Sequence, residues 1–158
     1  MHPGMKRLAT ILFAVLSFAV AACGGDDAPS KEEFAEQANK ICNEAEQSLE
    51  NVGENAESPE DIANAVDEVI EQSRTAVDDL AELDRPEGED GEAAQRFVDA
   101  TRREIEEEGI PVLEDLRDAL GSEDQQAAQE AAQRLQAIET EDSNKAAREL
   151  GATACAED

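Results

Sequence analysis

The chain has 158 residues, and 40 Asp and Glu against 13 Lys and Arg give it a formal charge of −27. Phosphate backbones and anionic headgroups are bound through Lys and Arg, so nucleic acid is excluded as an expected partner. Trp and Tyr are absent and the single histidine is His2, which argues against a Ser-His-Asp or Cys-His system, a Glu-x-x-His di-metal site and an aromatic platform for sugars.

Residues 1–22 read as an export signal: Lys6 and Arg7, an apolar run from Leu8 to Val20, then Ala21-Ala22. The run falls short of the about 20 residues that cross a bilayer. Met5, directly before the two bases, offers a second start beside Met1. Val20-Ala21-Ala22-Cys23 resembles the lipobox of bacterial lipoproteins, which implies cleavage behind Ala22, acylation of Cys23 with palmitate-type chains, and residence on the extracytoplasmic face of the membrane. Two or more acyl chains, at about 0.8 kcal/mol per methylene, anchor a protein durably. The alternative is a conventional signal peptide with a cysteine near its cut site. Residues 23–30 then form a flexible lipidated tether, and residues 31–158 the folded domain.

Removing residues 1–22 takes away Lys6 and Arg7 and no acid, so the charge becomes −29. What remains holds 8 Leu, 6 Ile, 6 Val and 2 Phe in 136 residues. That is below the about 20% that, with high net charge, marks disordered chains. Periodicity argues the other way, because apolar residues recur at three and four from Ser30 to Leu150.

Ser30, with Glu33 three residues on, predicts a capping box and a first helix to about Val52, with Phe34, Ala38, Ile41, Ala45, Leu49 and Val52 inward. Ser58-Pro59-Glu60-Asp61 predicts a second start, with Ile62, Val66, Val69, Ile70, Val77, Leu80 and Leu83 on one face and Pro86 as the stop. Arg85–Glu92 reads as a polar turn into a third helix carrying Phe97, Val98, Thr101, Ile105, Val112, Leu113, Leu116 and Leu120, kinked near Pro111. A fourth helix is expected from about Glu123 to Leu150, with Gly151 as its end. Acid-before-base pairs, such as Asp99 with Arg103 and Glu130 with Arg134, stand four apart on the outer faces. The expected fold is all-α, an up-down-up-down four-helix bundle.

Two cysteines remain, Cys42 and Cys155. In an oxidising exterior such a pair is expected as a disulfide, metal ligation by the thiols being the alternative. The geometry agrees: an antiparallel fourth helix ends near the start of the first, and Gly151–Cys155 can climb back toward Cys42, about 16 Å up that helix. Ala38-Asn39-Lys40-Ile41-Cys42, with Leu150–Cys155, resembles small helical lipoproteins of GC-rich actinobacteria. That resemblance implies a fold and an envelope location and brings no activity.

Carboxylates are the one abundant functional group. Glu87, Glu89, Asp90 and Glu92 in the turn, and Glu104 and Glu108 beside the kink, are candidates for a hard cation. No resident metal or cofactor is expected. The sequence therefore reads as a non-enzymatic interaction or structural module of the cell envelope, held to the membrane by its lipid and open to an envelope protein partner. The alternative is a ligand-binding lipoprotein that holds a hard cation or small cationic solute through clustered carboxylates. A buried acid near Glu104 or Glu108 opening into a pocket favours the alternative; a filled core with every carboxylate exposed favours the module.

Overall fold

The computed structural model describes residues 28–54 and 56–156. Cys23, the expected export signal and most of the expected tether lie outside the described residues. Helix α1, Lys31–Leu49, begins where the capping box requires: the Glu33 N–H donates to Ser30 Oγ at 3.2 Å, and the Ser30 N–H donates to Glu33 Oε2 at 2.8 Å. Helix α2, Pro59–Glu82, repeats the device, with the Asp61 N–H on Ser58 Oγ at 3.1 Å and the Ser58 hydroxyl on Asp61 Oδ2 at 2.7 Å. Arg85 then donates to the carbonyls of Ala81 and Leu83 at 3.2 and 2.9 Å, which covers acceptors the ending helix leaves open.

The turn after α2 is shorter than expected, because α3, Gly88–Arg102, starts inside it. Gly91 makes this possible: a Cβ there would stand 2.1 Å from the Pro86 carbonyl oxygen. Helix α3 passes without interruption into a π-helical segment, Arg103–Gly109, and then into α4, Ile110–Gly121. This segment stands where the sequence predicts a kink. The Ile110 N–H donates to the Ile105 carbonyl, five residues back. Pro111 has no N–H and its ring crowds the carbonyl one turn earlier, so a wider turn ahead of it relieves both faults. The extra residue sets the apolar step from Ile105 to Ile110 at five, and Ile110 is buried.

The single fourth helix expected over 123–150 is two helices, α5 at Gln125–Leu135 and α6 at Glu141–Leu150. The described residues therefore form five helical rods in place of four, with α3, the π-helical segment and α4 counted as one. Among the described residues there is no strand, and no helix is long and apolar enough to cross a membrane. The interruption has local causes. Short-range bonds from Ala137 to Arg134 and Ile138 to Leu135 tighten the end of α5, and Glu141 and Asp142 put two acids at the positive end of α6. It also lies beside the π-helical segment, with Ile138 Cδ1 4.0 Å from where a Cβ on Gly109 would be.

Two apolar clusters result. One joins Phe34 and Ala38 of α1, Leu80 of α2, Phe97 and Val98 of α3, and Ala147 and Leu150 of α6. The other joins Val66 and Ile70 of α2 to Ile110 of α4, with Ile105, Leu113, Leu116 and Leu120 packed against them. Around the first cluster the elements close on one another. Further along, α1 packs on α2, α2 on α4 and α4 on α5, an open row with no substantial α1–α5 packing. Ile62, expected inside, is 42% exposed at one end of this row.

Basic side chains hold the register across helices. Arg117 meets Asp67 at 3.0 Å and Arg74 meets Glu114 at 3.1 Å, so α2 and α4 run antiparallel. Asp67 and Asp118, through their hydrogen bonds to the guanidinium, push the Arg117 pKa further up. Arg134 meets Asp115 at 2.6 Å across α4 and α5. Arg103 and Arg134, expected to pair with Asp99 and Glu130 along one helix, instead form bridges to Asp142 of α6 and Asp115 of α4.

The turn after α4 places Glu123 at φ 56°, with the Asp124 N–H on the Ala119 carbonyl at 2.9 Å. A side chain in this left-handed conformation costs about 1 kcal/mol, which glycine avoids. Glu123→Gly should raise stability by about 0.5–1 kcal/mol in urea unfolding, while Gly91→Ala, which must push the Pro86 carbonyl away, should lower it by about 1–3 kcal/mol.

The two capping carboxylates set a dependence on pH. The Ser30 N–H and then its hydroxyl hold Glu33 below its ordinary pKa; the Ser58 hydroxyl, then the N–H groups of Ser58 and Glu57, do the same for Asp61. A depressed carboxylate adds stability that is complete above its unfolded pKa and is lost as pH falls through the folded one. The stability difference between wild type and Asp61→Ala should hold constant above about pH 5 and shrink below it. Thermal melts of both proteins across that range read the difference free of the general charge repulsion.

Candidate functional site

The Cys42–Cys155 disulfide has its Cα atoms 5.2 Å apart and closes a sequence separation of 113. Its position is prepared by the end of α6. Gly151, at φ 85°, turns the chain out of the helix while the Ala152 N–H returns to the Ala147 carbonyl at 2.9 Å. Asn39 then grips the tail on both sides: its Nδ2 donates to the Gly151 carbonyl at 3.2 Å, and its Oδ1 accepts from the Ala154 N–H at 2.7 Å. The short 3₁₀ turn Thr153–Cys155 sets Cys155 against Cys42. Helix α6 thus ends beside Ala35 and Asn39, well up α1, and the tail has no need to extend.

The acids proposed for a cation fall in two separate places. Glu87, Glu89, Asp90 and Glu92 are exposed at the start of α3, where Asp90 pairs with Lys31 at 3.6 Å. Glu104 and Glu108 lie on the π-helical segment and meet around a cation already present: Arg103 is 3.8 Å from each, and 3.1 Å from Asp142 of α6. Among the described residues no group of three or more His, Cys, Asp or Glu side chains is arranged to hold a metal ion.

Glu104 is 5% exposed, the one buried carboxylate among the described residues. Its Oε1 accepts the Ser143 N–H at 3.3 Å, in the first turn of α6. A carboxylate at that position satisfies an orphan donor and sits at the positive end of the helix dipole. Glu104 therefore caps a helix other than its own, through the widened turn that aims it. Neither condition set by the sequence is met in full: an acid is buried, yet it does not line either cleft.

Two clefts among the described residues are open and polar. One, of about 530 Å³, runs between α3 and α6, with Arg96, Arg103 and Lys145 facing Asp99, Asp142 and Glu149 over Ala100 and Ala146. The other, of about 360 Å³, lies between α2 and α4, with Arg74 and Arg117 among Asp67, Glu71, Asp78 and Glu114. Interhelical ion pairs cross each of them and engage its arginines, Arg74 with Glu114 and Arg117 with Asp67 in one, Arg96 with Glu149 and Arg103 with Asp142 in the other.

Three residues with structural roles escape sequence reasoning. Asn39 sits in an ordinary helical context, and its signal was its place three residues before Cys42. Arg103 shows only its spacing of four from Asp99 and Ser143 shows no signal, because their partners depend on how α6 docks.

The two ties hold opposite ends of α6, Glu104 its start and the disulfide its tail, so they should act independently. Urea unfolding should show a loss of about 2 kcal/mol for Glu104→Ala. Reduction of the bridge should cost about 5 kcal/mol by the chain-entropy estimate, and the combined loss should be additive. The chain matches no protein-family model, no curated protein and no solved structure.

Proposed function

We propose that this chain is a lipid-anchored extracytoplasmic lipoprotein, a non-enzymatic interaction or structural module of the cell envelope. The observation that carries the reading is the Cys42–Cys155 bridge. Disulfides persist in oxidising compartments and are rare in the cytosol, so the bridge supports export. Pairing these two cysteines also leaves Cys23 alone, at the end of the lipobox-like Val20-Ala21-Ala22. Clefts crossed by ion pairs, and a body tied at both ends of α6, suit a rigid presenting surface. In this reading α5 and α6 are the two parts of a divided fourth rod in an up-down-up-down bundle, with a bend at the π-helical segment.

Globomycin, which blocks cleavage of lipoprotein signals, should accumulate the precursor in the native host. Cys23→Ser should move the protein from the membrane fraction to the soluble one. Unchanged processing together with unchanged fractionation would overturn the anchor. Two free thiols in freshly exported protein, seen by intact mass with and without reductant, would remove the observation on which the reading stands.

A further inference from the structure

We infer that the end of the α1–α2 hairpin is a docking surface for a basic amphipathic helix of another protein. The inference rests on the interaction-module reading and names the chemistry of its partner. Four large apolar side chains belong to this hairpin and join neither core cluster: Leu49, the last residue of α1, and Val52 just beyond it are half-buried, as is Val69 on α2, while Ile62 on α2 is exposed. Ile62, Ala65 and Val69 share one face of α2 by their spacing of three and four. The end of α1 reaches that face, since a Cβ on Gly53 would be 3.5 Å from Ala65 Cβ. Ile62, at 42% exposure, is the one exposed large hydrophobic side chain among the described residues.

Charge says what covers it. From Ile41 to Ser73 the chain carries ten acids and no base. Two copies of a chain this acidic repel through such a surface, and an anionic membrane is repelled in the same way. A small polycation satisfies the acids and leaves Ile62 wet. A helix with an apolar stripe flanked by Lys and Arg satisfies both, in the helix-on-groove mode of recognition. The 19 residues of α1 also carry this end about 28 Å from Ser30, away from the proposed anchor.

The test measures binding of a fluorescent Leu/Lys peptide of about 18 residues, long enough for a helix, to the purified full-length mature protein in neutral detergent. The control peptide has the same composition with its leucines spread around the helix. The amphipathic peptide should bind about tenfold more tightly than the control. Ile62→Ser should abolish most of that difference, and Glu50→Lys should weaken both peptides while leaving the melting temperature unchanged or higher, because a cation suits the C-terminus of α1. Equal binding of the two peptides, or a preference that survives Ile62→Ser, overturns the inference in favour of charge attraction alone. Photocrosslinkers at position 62 and at Gln129 of α5, used in the native envelope, separate it from the broader reading. A crosslinked partner at Gln129 and none at position 62 overturns this surface and leaves the module standing; none at either position counts against both.

Discussion

The bond between Cys42 and Cys155 bears on nearly every other feature of the fold, because it closes a separation of 113 residues in a chain with little else to resist its own charge. Alanines are half of the buried apolar residues, and Phe34, Phe97, Leu150, Val77 and Val98 are the largest side chains fully withdrawn from water among the described residues. Such a core gains modestly from burial, while 40 acids favour expansion. The bridge acts on the unfolded ensemble, which is where charge repulsion would otherwise be relieved. Its placement is no accident of chain length, since the glycine turn at Gly151 and the double grip of Asn39 bring the tail to Cys42 before the sulfurs are considered.

The irregularities at mid-molecule belong together. A helix of uniform pitch from Gly88 to Gly121 would have placed Glu104 by the ordinary spacing, and a continuous helix through Gln136–Thr140 would have had no free N–H groups to offer it. The π-helical segment and the interruption between α5 and α6 occur side by side, and each supplies what the other lacks: a redirected carboxylate and an exposed helix start. Proline at 111 explains the first irregularity. The acids at 141 and 142 explain why the second has its start where it does.

Elements whose causes lie within four residues were legible in the sequence. The Ser30 capping box, the serine cap at Ser58, the helical class and the apolar stripe of α1 follow from local spacing, while the partnership of Cys42 and Cys155 follows from the oxidising exterior expected for them and the antiparallel run of the first and last helices. The failures share one character. Ile110 was passed over because a step of five fits no α-helical template, though the pattern from Ile105 to Ile110 was in view. The division of the fourth helix is hidden because Ala128, Ala131, Leu135 and Ile138 keep helical spacing into the break itself, and what makes the break useful is Glu104 on another rod. Ion pairs went wrong for the same reason: spacing of four is visible in a sequence, while the acid that Arg134 or Arg103 meets depends on a neighbour's register. Among the site candidates, the acids could be named but not their occupation by Arg103.

Joining Cys155 to Cys42, eleven residues past the start of α1, has a mechanical consequence. A pull applied between Ser30 and the hairpin end near Ile62 runs along the hydrogen bonds of α1 alone. The rods α3 to α6 lie inside the covalent loop and hang from α1 beside that line of tension. They can shift or open locally without lengthening the connection, and the connection can bear load without unpacking Phe97, Val98 or Leu150. Helix α1, whose one large buried side chain is Phe34, is thus placed to carry force, and the side chains that α3 and α6 bury are kept out of its path.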